Sequence, residues 1–364
     1  MTRFALTLFV LSLSTPIAAQ SPPAKADARS AETLKKIRDA YRPTPVTRAV
    51  DRGLEYLRRT QADDGSWTSG NYGKNTGLVS LALMAFLARG AEPGRGQYGE
   101  LLERGVAWIV ASERSGILHR GASRDYAVMY SHGIAALLLG EVAGMVDEDR
   151  TEFQSLDRVH RRAVELILNA QNTPKSERDF GGWRYQLDSR DSDISVTGWQ
   201  LLALRAAKEC GLDVPKKSID RAVSFIRRSA LPAGGFRYTS FNDEATPGRT
   251  GTGILALQIC GESNSEEARR GGDWLLSHPL RWNDEWFYYG AYYSCQAMYQ
   301  LGGTYWSRWR PMAEEVLLAH QDEDGSWKLP PGTAQEAEAG RVYSTALAIL
   351  ALSVEFRYLP IYQR

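Results

Sequence analysis

The sequence predicts an all-α protein built as a single (α/α)6 toroid, a barrel of six outer and six inner helices. Three observations predict it. The stretch "QADDGSW", Gln61 to Trp67, returns 260 positions later as "QDEDGSW", Gln321 to Trp327, so one kind of turn is used near both ends of the chain. Six segments are apolar or small at nearly every position, as in "NTGLVSLALMAFLARG" from Asn75, and a helix with that pattern is covered on all sides. Each of these follows a charge-bearing amphipathic segment, an alternation with a period of roughly 50 residues.

In chain order, Arg3 precedes the apolar run "FALTLFVLSL", and "STPIAAQ" follows with small residues suited to cleavage near Ala19. The run is too short to anchor in a bilayer, so residues 1–19 read as a signal peptide and the mature chain as extracytoplasmic, periplasmic or secreted. Residues 20–45, rich in Pro, Ala and charge, read as a tether, and 46–360 as the toroid. The outer helices are expected from Thr47, Glu100, Arg158, Ser218, Glu266 and Arg310; the inner ones from Asn75, Tyr130, Ile194, Thr250, Tyr289 and Tyr343. An open array would give its terminal repeats a polar capping face. All six inner segments read as buried, which favours a closed ring. Small residues near their starts, as in His132-Gly133 and Thr197-Gly198, let backbones approach around a narrow centre.

The repeated turn has a physical reading. Gln at the end of an outer helix offers an amide to exposed backbone groups, Asp-Gly makes a tight reversal, and Trp covers the joint. Weaker copies stand at "QNTPKSERDFGGWRY" from Gln171 and "SALPAGGFRY" from Ser229.

Composition narrows the function. With 44 basic and 43 acidic side chains in 364 residues the net charge is +1, which implies no nucleic-acid partner. Cys210, Cys260 and Cys295 are odd in number and sit in or at the end of apolar runs, so a disulfide scaffold is not expected. No cofactor is called for.

The Gln-x-x-Asp-Gly-Ser-Trp repeats resemble the QW motifs of the terpenoid cyclase and protein prenyltransferase superfamily, squalene-hopene cyclases above all, from about Thr47 to Leu359. The resemblance implies the toroid; activity has to be checked residue by residue. Those cyclases protonate an alkene from Asp-x-Asp-Asp-Thr at an inner-helix start. Here "DSDISVT" keeps Asp191 and Asp193 but has Ile194 where a second paired aspartate would stand. Asp193 is placed to cap the helix that follows; as a degenerate cyclase acid, Asp191 or Asp193 is the candidate. Prenyltransferases bind zinc through Asp-x-Cys and a distant His, and "GAYYSCQ" and Ser344 lack that set, leaving Cys295 and His132 as packing residues. "CGES" at Cys260 lacks the Gln of a thioester motif. Glycosidases on α/α barrels need two carboxylates across a cleft, for which Asp125, Asp188, Asp191, Asp193, Asp284, Glu285 and Glu338 are candidates.

The loops that lead into the inner helices bring Trp183, Tyr185, Tyr126, Tyr130, Phe236, Tyr238, the run "WFYYGAYY" with Tyr288, Tyr289 and Tyr292, and Tyr343. They also carry Lys74, Arg124, Arg184, Arg190, Arg237, Arg249 and Arg341. Together these predict an aromatic cavity with a basic rim, suited to an apolar, isoprenoid, phosphate-bearing or carbohydrate ligand. The idea requires that the cations not be paired with nearby carboxylates. A non-catalytic exported binding or scaffold protein is the first reading; a degenerate cyclase-like isomerase or lyase and a carbohydrate-active enzyme are the alternatives.

Overall fold

A computed structural model describes residue 33 and residues 43–121, 127–146, 155–331 and 334–362. The expected signal peptide and most of the tether lie outside the described residues, as do Arg124, Asp125 and Tyr126.

Why the outer helices lie on a core is plain from their spacing. In α1 (Pro45–Thr60) the buried side Val46, Ala49, Val50, Gly53, Leu54, Leu57 repeats every three or four residues, which at 3.6 residues per turn is one face. The other outer helices are α3 (Gly99–Ala111), α5 (Leu156–Gln171), α7 (Lys216–Arg228), α9 (Glu266–Ser277) and α11 (Gly303–Leu318). The inner helices are α2 (Thr76–Leu87), α4 (Val128–Val142), α6 (Ile194–Glu209), α8 (Pro247–Ile259), α10 (Phe287–Leu301) and α12 (Ala334–Leu352). Every residue of α2 is buried. Each inner helix packs on the next, and α12 packs on α2, so the ring closes. The described residues contain no strand, and none of their helices is long and apolar enough to cross a membrane.

Close approach within the ring does depend on small residues. A Cβ on Gly133 would lie 2.3 Å from the Gln200 amide, and one on Gly198 2.3 Å from the Thr252 methyl. Either addition would push two inner helices apart.

The repeated turn is one device used three times. Gln61, Gln171 and Gln321 each donate from Nε2 to the carbonyl of the glycine in their own turn, Gly65, Gly181 and Gly325, at 2.8–3.0 Å. The same amide donates to a carbonyl of the next outer helix: Leu101 (2.9 Å), Ser218 (2.9 Å) and Ala49 (2.8 Å). The indoles of Trp67, Trp183 and Trp327 donate to Leu57, Ile167 and Leu317, each at 2.8 Å and each four residues before the Gln. The three glycines stand at φ of 86, 97 and 91°, and a Cβ on any of them would strike the backbone of the neighbouring outer helix at 2.2–2.3 Å. Glycine is therefore required twice over, by conformation and by space. At the fourth joint Gly234 keeps the geometry (φ 91°), while Phe236, fully buried, replaces the indole. The joints thus tie outer helix to outer helix as well as closing each hairpin, a reach the sequence reading did not include.

Two elements differ from expectation. α11 begins at Gly303, not Arg310, and runs through Pro311; Trp309, Ala313 and Leu317, buried at four-residue steps, hold the helix on the core across the missing N–H. α12 contains a break at Gly340 (φ 79°), so Ala334–Ala339 is a short turn in front of the inner segment proper. A Cβ on Gly340 would meet the Gly70 nitrogen at 2.5 Å, and one on Gly70 would meet the Glu338 carbonyl at 1.8 Å; these two backbones are in direct contact.

Candidate ligand cavity at the mouth of the ring

The N-terminal ends of all six inner helices meet around a cavity of about 440 Å³. Polar side chains secure those ends. Asn75 accepts from Leu78 N–H (3.1 Å), Asp193 from Val196 N–H (2.8 Å) and Thr246 from Arg249 N–H (3.4 Å). α10 is capped from outside: the Glu336 carboxylate accepts from Tyr288 N–H at 2.8 Å. The inner-helix dipoles therefore converge, positive end first, on one space.

Rings make most of its wall. Tyr72, Tyr130, Tyr185, Tyr238, Trp199, Trp286, Tyr289 and Tyr343 line it, interleaved with Asn75, Ser131, Ser195, Thr246, Gln335, Arg249 and Glu285. Tyr185 and Tyr238 are joined through their hydroxyls, and Tyr130 leans on Tyr185 with centroids 5.9 Å apart. The Tyr289 hydroxyl stands 3.0 Å from Thr252 Oγ1 and is also bonded by Ser195. Trp286 holds a left-handed backbone (φ 55°, ψ 48°) where the chain enters α10. A bulky residue there is strained, and its ring is one of those lining the cavity.

Of the residues expected at the site, Tyr130, Tyr289, Tyr343 and Arg249 line the cavity. Tyr288 and Tyr292 do not. They are buried in the ring wall, Tyr288 donating to the Lys328 carbonyl (2.5 Å) and Tyr292 bonded to the Tyr362 hydroxyl (2.7 Å). Burial raises the pKa of both phenols.

The basic rim is a correction. Arg184 pairs with Asp191 (3.2 Å), Arg237 with Asp243 (2.7 Å), Arg341 with Asp322 (2.5 Å) and Lys74 with Asp64 (2.6 Å). Arg184, Arg341 and the exposed Arg190 do not line the cavity. Arg249 does, but its guanidinium donates to the Glu244 carbonyl (3.0 Å) and lies 5.2 Å over the Tyr238 ring. Glu285 on the same wall offsets it. The field that would select a phosphate is largely spent on these partners.

The carboxylates separate in the same way. Asp191 is 55% exposed and outside the cavity. Asp193 is wholly buried and caps α6 with Oδ1, while Oδ2 has no hydrogen-bond partner; Arg184 Nε is 3.9 Å away, too far for one. Burial raises its pKa to about 7 against the opposing Val196 N–H and Arg184 charge. It acts on Tyr130, Tyr238 and Tyr289 from behind the wall. Glu336 is similar: buried, capping, with Oε2 unpartnered and a pKa raised by burial to about 7. Asp188, Asp284 and Glu338 do not reach the cavity, so among the described residues Glu285 is the one carboxylate that lines it.

No group of His, Cys, Asp and Glu among the described residues is arranged to hold a metal ion. His132 is structural. Its Nδ1 accepts from Leu118 N–H (3.0 Å), its Nε2 lies 3.1 Å from the Ala163 carbonyl, and burial lowers its pKa to about 4. Reading from the sequence missed Tyr72, Asn75, Trp199 and Gln335; apart from Trp199, these stand in the loops or caps just ahead of an inner helix, and that position is the signal that could have found them.

No protein-family profile matches the chain, and no curated protein matches its sequence. Its fold is shared with solved toroids. An α-1,6-mannanase from Salegentibacter sp. HEL1_6 superposes with a TM-score of 0.60 at 12% identity over 84% of this chain and 99% of that one. An unsaturated glucuronyl hydrolase from Bacillus sp. GL1 gives 0.58 at 13% over 88% and 99%. A type II terpene cyclase from Scytonema, bound to geranylgeranyl dihydroxybenzoate, gives 0.53 at 13% over 87% and 98%. The terpenoid-cyclase-like toroid expected from the repeats is thus the fold adopted, and sugar-cleaving enzymes share it.

Proposed function

We propose that this is an exported, non-catalytic binding protein whose mouth cavity takes a neutral carbohydrate. The observation that carries the reading is the composition of the wall: aromatic rings and neutral hydrogen-bonding groups from all six inner helices, with a single lining carboxylate among the described residues. Rings stack on the apolar faces of sugars, while Asn75, Ser131, Ser195, Thr246, Gln335 and the tyrosine hydroxyls suit their hydroxyl groups. An isoprenoid would leave those polar groups desolvated and unpaired, which is costly. Glycosidase chemistry needs a second carboxyl group across the cleft, and acid catalysis by Asp193 needs a proton donor that reaches the ligand; Asp193 caps a helix behind the wall instead. Export rests on the leader read from the sequence.

The test is a calorimetric and tryptophan-fluorescence titration of the mature chain with manno-, xylo- and cello-oligosaccharides, including the α-1,6-mannotriose bound by an inactive variant of the mannanase relative. The expected result is saturable binding that Tyr289→Ala removes, with no new reducing ends on prolonged incubation. Binding of geranylgeranyl compounds in preference to every sugar, or turnover of a bound sugar, overturns the reading.

A further inference from the structure

The aromatic surface does not stop at the cavity lip. The loop between Tyr238 and Thr246, both of which line the cavity, carries Phe241, whose side chain is 82% exposed. Phe180, 45% exposed with the Arg221 guanidinium 5.8 Å over its ring, stands on the joint between α5 and α6. Large apolar side chains left this open are the informative kind of surface.

These rings are held on a braced base. Asp179, buried, ties three strands of chain together. Its Oδ1 accepts from Ser240 Oγ (3.2 Å) and Ser192 N–H (3.3 Å), its Oδ2 from Ser176 Oγ (2.6 Å), and its carbonyl from Ser192 Oγ (2.8 Å). Arg228 donates to the Phe180 carbonyl. The loops bearing Phe180 and Phe241 are therefore fastened to each other and to the start of α6. Phe241 stands three residues after Tyr238 and five before Thr246, both of which line the cavity, so its loop forms part of the cavity lip.

We infer that this shelf is an extension subsite, and that the ligand is a chain of sugars that leaves the cavity between α6 and α8 and lies across Phe241 and Phe180. The inference rests on the carbohydrate reading above and deepens it from a single sugar to an oligosaccharide. The charge around the shelf adds no selection. Asp243 and Glu244, 78% and 75% exposed, are paired with Arg237 and Arg249, so the charges beside the shelf cancel and leave nothing to favour an anionic chain over a neutral one.

The experiment compares affinities across manno-, xylo- and cello-oligosaccharides of two to six units for the wild type, Phe241→Ala and Phe180→Ala. For the series that binds, affinity should rise with length in the wild type. Phe241→Ala should remove about three- to tenfold from the longest ligand, the worth of one aromatic contact, and leave the shortest within twofold. Phe241 is exposed, so the variant keeps the fold. Affinity independent of length, or an equal loss for short and long ligands, overturns the subsite while leaving the cavity reading intact. So does a change in self-association on Phe241→Ala, measured by sedimentation, without a change in sugar affinity. Failure of every oligosaccharide to bind is instead the failure of the carbohydrate reading itself.

Discussion

The two ends of the inner ring are made of the same helices and are finished in opposite ways. At the mouth, the helix starts are capped by Asn75, Asp193, Thr246 and, from outside, Glu336, and rings face an open space. At the floor, the chain closes the ring with its own C-terminal turn, Pro360–Tyr362. Ile361 N–H donates to the buried Glu141 carboxylate (3.2 Å), and Tyr362 reaches up to Tyr292, which stacks on Trp199 with centroids 5.6 Å apart. Trp199 lines the cavity, so the plug ends two rings below it. The difference is one of closure: the floor completes the core, while the mouth leaves polar and aromatic groups facing an open cavity, which is where the binding reading proposed above puts its ligand.

The comparison breaks most readily at the floor. Tyr362→Ala empties a fully enclosed site and strips Tyr292 of its partner, for an expected loss of about 3–5 kcal/mol in denaturant unfolding. Sugar affinity measured on the fraction still folded should hold within a few fold; a loss of binding in step with stability would show that the two ends are coupled. Next comes Gln321→Ala, which removes donors to Ala49 and Gly325 and should cost about 1–3 kcal/mol, again without a selective effect on binding.

At the mouth the pattern should invert. Trp286→Ala keeps the left-handed backbone and removes a ring at a half-buried position, so unfolding free energy should move by no more than about 1–2 kcal/mol, whereas ligand affinity should fall at least tenfold. A variant that unfolds more easily yet binds normally would move Trp286 into the structural set.

The smallest effect is in pH. Asp193 and Glu336 have pKa values raised to about 7 and Glu141 to about 8, each by burial. For such groups the folded state holds protons that the unfolded chain has released, so their contribution is full below the ordinary carboxylate range and is lost as pH rises through the folded value. His132 and His160, lowered by burial to about 4, act the other way: stability is lost as pH falls from 6.5 towards 4. The two sets oppose one another at acid pH, and the acids alone act above it. Tm should therefore fall between pH 6.5 and 8. Glu141→Gln should flatten the upper part of that fall, while Asp193→Asn, which keeps the capping oxygen, should flatten the lower part.

How much of this was written in the sequence depends on range. Helix pairing was legible because the face Val46, Val50, Leu54, Leu57 of α1 is a local period, and the joints because Gln, Gly and Trp each have one use there. The second bond of each Gln was not, since the carbonyls of Leu101, Ser218 and Ala49 have no side-chain signature. The start of α11 was hidden by Pro311. In the site, Tyr289 was separable from Tyr288 and Tyr292 only by rotation: 288 and 292 lie about 40° apart around the helix, with 289 about 100° from 288 and about 60° from 292, and sequence alone does not say which direction is the lumen. For Arg184 and Arg341 the sequence left pairing open: Asp191 was a possible partner, but that Arg184 takes it and Arg341 takes Asp322 is settled only in three dimensions. Asn75 and Gln335 looked like ordinary polar residues between helices.

The bond from Gln321 to Ala49 spans 272 positions of sequence. Contacts that distant form late, because a long loop must close before they return anything. The first and last outer helices meet only once α11 has formed, so a growing chain carries an open arc with two uncovered flanks until then. Closure of the ring is therefore timed by the arrival of α11 and α12 rather than by any earlier repeat, and the interval before it is when apolar flanks stand uncovered.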